Sequence, residues 1–186
     1  METTNIILCG LGGQGVLFMT RILAETAMHR GQKVVGAETH GMAQRGGSVI
    51  SHLRLGEAEG SLIRSGTAHY LLALDEHEAY RYLPFLAKGG KLYVNVEPGM
   101  FPRPEVGAHI KSNKIVYRCV AATKIALDLG APMSTNLALL GYFAGFDDGP
   151  FSGREIRQTV ERVSPERFRE MNLKVFDSSL ETGERT

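Results

Sequence analysis

The chain has 186 residues, 43% hydrophobic and 22% charged, ordinary values for one folded domain with a proper core. A formal net charge of +1 offers no basic surface for nucleic acid, and no apolar run approaches the roughly 18 residues that cross a bilayer. Cys9 and Cys119 stand alone, so they can neither hold an iron–sulfur cluster nor build a zinc site unaided, and the six histidines show no metal-ligand spacing. Met1 to Asn5 lacks the basic and apolar segments of a secretory signal, and a cytoplasmic protein is expected.

In chain order, Asn5-Ile6-Ile7-Leu8-Cys9 predicts a buried strand and Val16 to His29 a helix closed by Gly31, with a glycine-rich turn between them. Lys33 to Ala37 reads as a second short strand. Val49, Ser51, Leu53 and Leu55 alternate with Ile50, His52 and Arg54, as a strand with one wetter face would. His69 to Leu74 is continuously apolar, as an inner parallel strand buried on both faces requires. Asp75 ends it; Glu76 to Leu86 predicts a helix stopped at Gly89-Gly90, and Lys91 to Val96 the next strand. Residues 97 to 108, with three prolines and two glycines, read as a surface loop. Ile115 to Cys119 is a further strand, and Ala122 to Leu129 a helix ending at Gly130-Ala131-Pro132. Ser134 has the character of an N-cap for a helix from Thr135 to Phe146. Ser152 and Glu155 have capping-box spacing, Ser164-Pro165 starts a last helix, and the final eight residues read as frayed. With no internal repeat and no linker, residues 1–186 form a single three-layer, Rossmann-like α/β domain. Its sheet is largely parallel, with an antiparallel contribution near residues 48 to 65.

Two segments carry chemistry. Gly10-Leu11-Gly12-Gly13-Gln14-Gly15 sits between strand and helix, where backbone N–H groups and the helix dipole can cradle a phosphate or pyrophosphate. Gln14 would add a side-chain amide at the tip. The same stretch could be no more than a tight βα turn. Glu38 stands about where a dinucleotide fold places the acid that binds a ribose, or is simply a solvated carboxylate at a strand end. The second segment, Glu38 to Ser48, is polar and punctuated by Gly41, Gly46 and Gly47. His40, Gln44 and Arg45 fall at the sheet edge where ligands bind, and Arg45 beside Gly46-Gly47 could clamp an anion. Thr135-Asn136 could cap its helix or bring a second helix N-terminus to the same crevice. No nucleophile elbow, carboxylate pair or thiamine diphosphate signature is present (Asp147-Asp148-Gly149 does not match it), which describes a domain that binds and does no chemistry alone.

Gly10-Leu11-Gly12-Gly13-Gln14-Gly15, followed thirty residues on by Gln44-Arg45-Gly46-Gly47, resembles the gamma subunit or domain of the 2-oxoacid:ferredoxin oxidoreductases. The likeness runs from about residue 5 to 175. It takes in Leu71-Leu72-Ala73-Leu74-Asp75 and Thr135-Asn136-Leu137-Ala138-Leu139-Leu140-Gly141. His40-Gly41-Met42 stands where pyruvate-type members often carry tyrosine–glycine–proline, which favours the indolepyruvate or a related aryl-pyruvate branch, and the chain most resembles the small beta subunit of the indolepyruvate enzymes. The resemblance implies a reaction shared among chains. A larger partner would hold thiamine diphosphate and iron–sulfur clusters, decarboxylate a 2-oxoacid and pass electrons to ferredoxin. This chain would help bind coenzyme A and complete the active site, with Gly10 to Gly15, Arg45 and Asn136 at the coenzyme A phosphates or the subunit junction. The rival readings are a stand-alone NAD(P)-binding reductase, carried by the glycine loop and Glu38, and a nucleotide-sensing scaffold.

Overall fold

The structure, a computed structural model, describes residues 3–41 and 46–186. Strand β1 (Thr4–Leu11) leads through the glycine turn into helix α1 (Val16–His29), and β2 (Val34–His40) and β3 (Ser48–Leu55) follow. Then come β4 (Ala68–Ala73), α2 (Glu76–Tyr82), a single 3-10 turn at Leu83–Phe85 and β5 (Leu86–Asn95). The chain continues through α3 (Pro104–Ser112), β6 (Val116–Val120), α4 (Ala122–Asp128), α5 (Thr135–Ala144), α6 (Gly153–Val163) and α7 (Glu166–Glu184). The six strands form one sheet in the order β2-β3-β1-β4-β5-β6. β1, β4, β5 and β6 pair in parallel, while β3 is antiparallel to both β1 and β2. Among the described residues no helix is long and apolar enough to cross a membrane.

Alternation of side chains along the strands divides the core into two layers. Ile6, Leu8, Val49, Leu53, Leu72 and Tyr93 face α1, α5, α6 and α7; Ile7, Cys9, Ile50, Leu71, Leu92 and Val94 face α2 and α3. All ten residues of α5 are buried, so this helix is wrapped by sheet and neighbours alike. It reaches α7 at backbone distance. A Cβ at Gly141 would collide with the Phe176 carbonyl oxygen, which is why a glycine stands mid-helix there.

Several expectations need correction. β3 has no wet face: Ile50 and His52 are buried because the segment after β3 folds back, Ile63 N donating to His52 Nδ1 at 3.2 Å and Phe85 packing edge-on against the ring. Burial lowers the pKa of His52, which suits its role as an acceptor. Pro84 converts the end of the expected 76–86 helix into the 3-10 turn, and Gly89-Gly90 lies inside β5 rather than ahead of it. The loop expected at 97–108 gives way at Pro104, which opens α3 at a position where its missing N–H costs nothing. Ser134 makes no cap; its hydroxyl donates to Asn172 Oδ1 on α7 at 3.2 Å. The carboxyl end is not frayed, since α7 continues to Glu184 with Gly183 buried against α5. The capping box at Ser152 and Glu155 and the Asp75 cap of α2 form as read.

A polar clamp closes the sheet flank. Asp148 accepts from Tyr93 Oη at 2.7 Å and Arg118 Nη1 at 2.8 Å, and Lys91 Nζ lies 3.1 Å from its carboxylate. Tyr70 donates to the Asp148 carbonyl at 2.9 Å. Burial works to raise the Asp148 pKa, but the hydrogen bonds from Tyr93, Lys91 and Arg118 outweigh it and hold the carboxyl below its ordinary value. A carboxyl so depressed adds stability that is complete above its unfolded pKa and disappears as pH falls through the folded one.

Asp148→Asn is therefore expected to cost about 2 kcal/mol near pH 7, a fall in melting temperature of about 4–8 °C for a chain of this size. The gap between the two melting temperatures should start to close only below about pH 4 and vanish as the pH falls through the lowered Asp148 pKa; a gap undiminished at the acid end would show that the charge is not what matters. Gly141→Ala is expected to destabilise by about 1–3 kcal/mol through overpacking against α7, read from the denaturant midpoint.

Candidate functional site

The antiparallel ladder between β1 and β3 runs from Thr4 opposite Leu55 to Leu11 opposite Ser48, and it does not stop at the strand ends. Gly12 N donates to the Gly47 carbonyl at 2.8 Å, and the neighbouring β2–β3 ladder runs on likewise, Gly41 N donating to the Ser48 carbonyl at 2.8 Å. The two glycine-bearing segments thus abut. Between them and the start of α1 opens a cleft of about 570 Å³, walled by Leu11 to Gly13, Gly15 to Phe18, His40, Gly41, Gly47 and Val49.

The floor of the cleft is the amino end of α1. Gly15 occupies the N-cap position with φ 83°, makes no side-chain cap, and no acidic residue follows in the first turn. The first N–H groups of the helix have no intrahelical acceptor, and the dipole places partial positive charge among them. This backbone arrangement suits an anion. Gly15 is constrained twice. Its left-handed φ strains any L side chain, and a Cβ would also strike Asn136 Nδ2.

Asn136 explains that contact. It is buried in the first turn of α5, donates from Nδ2 to the Gly15 carbonyl at 3.2 Å and accepts from Leu137 N at 2.9 Å. Asn136 thus takes up an N–H of its own helix and also reaches the glycine turn, without lining the cleft itself. There Asn136 holds the loop from behind. Gln14 is likewise not at the tip: its Oε1 accepts from Leu11 N at 2.7 Å and its Nε2 points at the Leu74 carbonyl, 3.4 Å away. Asn95 Nδ2 reaches the same carbonyl at 3.0 Å. Together they occupy the carboxyl ends of β1, β4 and β5, so the open crevice lies on the β3 side. Gly10 is enclosed beneath Gln14, whereas Gly13 is exposed at the turn.

Glu38 does not meet this cleft. It lies within β2, opposite Ser51 of β3, exposed on the sheet edge. β2 is longer than the sequence suggests because β3 pairs with it as far as His40 opposite Val49. With β3 inserted between β2 and β1, the ribose-binding geometry of a dinucleotide fold is not formed. Gly47 lies at the cleft's far wall, and Gly46, with φ 71°, precedes it close to Gly12; Gln44 and Arg45 lie outside the described residues.

Sequence reasoning missed two features. Phe18 is shared with a second, apolar cleft of about 380 Å³ that also includes Pro132, Met133, Phe168 and Met171. Met133 is 80% exposed and Phe168 49%. The second is a buried carboxylate, Glu78, behind Ser48. The thiols are not reactive candidates. Burial, with Glu78 and Asp75 nearby, pushes Cys9 up, and burial with Glu76 pushes Cys119 up to about 11.

Residues 5–182 match the family described as pyruvate ferredoxin/flavodoxin oxidoreductase. The chain is 36% identical over 183 residues to indolepyruvate oxidoreductase subunit IorB of Archaeoglobus fulgidus, covering 92% of this chain and 91% of that one. The crystal structure of the gamma subunit of a keto/oxoacid ferredoxin oxidoreductase from Geobacter sulfurreducens superimposes with a TM-score of 0.78 at 24% identity, covering 98% of this chain and 99% of that one. The 2-oxoglutarate:ferredoxin oxidoreductase of Magnetococcus marinus gives 0.79 at 16% identity over all of this chain but 32% of its own. These structural likenesses show a shared three-layer α/β fold. Sequence and fold agree that the chain belongs to the pyruvate ferredoxin/flavodoxin oxidoreductase family, as one of its small gamma-type oxidoreductase subunits.

Proposed function

We propose that this chain binds coenzyme A phosphates in the cleft over α1 and completes the active site of a 2-oxoacid:ferredoxin oxidoreductase that turns an indolepyruvate-like 2-oxoacid into its acyl-coenzyme A. The observation that carries the reading is the uncapped amino end of α1 opening onto a cleft whose described wall carries backbone N–H groups and no carboxylate. Arg45, which falls between β2 and β3 in the sequence, would supply the cation that a bidentate phosphate clamp requires. The Magnetococcus marinus enzyme, part of which shares this fold, has coenzyme A bound, which supports the choice of ligand.

Thiamine diphosphate and iron–sulfur clusters belong, on this reading, to a larger partner chain that also delivers electrons to ferredoxin. The exposed apolar side chains Leu17, Met133, Phe168 and Met171 beside the cleft give that partner a surface to bury. That the fold recurs as about a third of a longer oxidoreductase chain supports an obligate neighbour. His40 and Gly41, part of the His40-Gly41-Met42 segment that resembles the indolepyruvate branch, line the cleft, which supports an aryl-pyruvate substrate.

Two outcomes test this. In the assembled enzyme, Gly15→Ala and Arg45→Ala should each raise the KM for coenzyme A about tenfold or more, as measured by 2-oxoacid-dependent ferredoxin reduction; unchanged values for both would sink the phosphate role. Met133→Glu with Phe168→Glu should weaken capture of the large subunit about tenfold or more in a pull-down titration, and undiminished assembly would place the junction elsewhere.

A further inference from the structure

Behind the wall of the cleft lies a charge that the proposed ligand contacts do not use. Glu78 of α2 is 2% exposed and accepts a hydrogen bond from the Ser48 hydroxyl. Tyr82, one helical turn on, places its own hydroxyl 2.8 Å from the same Ser48 oxygen. A carboxylate only accepts, so the single Ser48 proton goes to Glu78 and the Tyr82 proton goes to Ser48. The order Tyr82 to Ser48 to Glu78 is fixed in direction as well as in place.

The setting is costly for a carboxylate. Arg81 approaches at 3.1 Å, but its side chain is 61% exposed and its charge is screened by solvent. A neutral acceptor would bond one hydroxyl with less desolvation. What the charge adds is strength in the one bond it receives, because a hydrogen bond to an ionised acceptor is shorter and stronger than a neutral one.

Ser48 is the residue where such strength matters. It is the first residue of β3, paired with Leu11 at the end of β1. The preceding carbonyl, of Gly47, accepts the Gly12 N–H at 2.8 Å, and the carbonyl of Ser48 itself accepts the Gly41 N–H at 2.8 Å. Both walls of the cleft are therefore suspended from the Gly47-Ser48 pair, and its serine is held by α2.

We propose that Glu78 is a positioning residue: through Ser48 and Gly47 it fixes the glycine turn in the geometry that receives the anionic ligand. The proposal rests on the reading of the cleft as a coenzyme A site.

The test uses the assembled enzyme carrying Glu78→Ala, Glu78→Gln or Ser48→Ala. Hydrogen exchange read by mass spectrometry should accelerate about tenfold in peptides covering residues 10–15 for Glu78→Ala and Ser48→Ala, while peptides of β4 keep their protection. The KM for coenzyme A should rise about tenfold with kcat little changed, and Glu78→Gln, which keeps an acceptor without the charge, should recover only part of both. Unaltered exchange at residues 10–15 in Ser48→Ala and Glu78→Ala would overturn the proposal whatever coenzyme A does. If exchange rises, but Gly15→Ala alone raises the KM, Glu78 serves only stability and the proposal again falls. If neither Gly15→Ala nor Glu78→Ala moves the KM, the coenzyme A reading falls, and the ligand role of Glu78 with it.

Discussion

The antiparallel pairing of β3 with β1 is the constraint on which the rest of the structure depends. Eight consecutive residues of each strand are matched, and both strands are buried on both faces. A slip of one residue would carry Ile6, Leu8, Val49 and Leu53 from the α1 side to the α2 side, against side chains shaped for Ile7, Cys9 and Ile50. Register is therefore fixed by packing on two sides at once. Once it is fixed, the start of β3 must lie beside the end of β1, and two glycine-bearing segments far apart in sequence become the walls of one cleft.

The same pairing decides how the glycine motif is used. In a dinucleotide fold the strand after the first helix lies parallel to the first strand, and an acid at its end meets a ribose. Here that strand is displaced outward by one position, and Glu38 goes with it. The space at the β1–β4 boundary, where such folds open, is occupied by Gln14 bonded to Leu11 and directed at Leu74. A glycine pattern alone specifies a tight turn and an exposed helix end; the neighbour of β1 specifies which ligand can approach. Gln14, unusual in a dinucleotide fingerprint, is the residue that records the difference.

Legibility in the sequence tracked how local the physics was. β1, its turn, α1 and β4 were readable because periodicity and glycine spacing lie within a few residues, and the same holds for the Ser152–Glu155 capping box. The start of α3 was hidden behind prolines that mark both loops and first helical turns. The second buried face of β3 depends on Ile63 and Phe85, which arrive from elsewhere in the chain, and no alternation pattern contains them. Ser134 had the right type and place for a cap but found a stronger partner in Asn172. At the site, Gly12, Gly15 and Gly47 were legible as a cleft in outline. Asn136 and Gln14 were legible as important, though not as braces. Glu78 gave no signal, since a glutamate in the first turn of a helix is ordinary until its burial is known.

Where the ionisable groups are perturbed also bears on what the cleft can do. Strong perturbation commonly accompanies acid–base chemistry, and among the described residues it falls on Tyr93 in the flank clamp and on the two buried or half-buried thiols, Cys9 and Cys119. Tyr93 is raised by burial and by its hydrogen bond to Asp148, and Asp148 is lowered by the same bond together with Lys91 and Arg118. The shifts are thus consequences of holding residues 145–152 against the sheet, and none of these groups lines the cleft. On the cleft's described wall His40 is the one titratable side chain, among backbone donors and apolar groups. Such a wall can neutralise an anion and orient what is attached to it. It is poorly furnished to make or break a carbon–carbon bond. The proposed division of labour, with binding here and redox chemistry in a neighbouring chain, rests on what surrounds the amino end of α1.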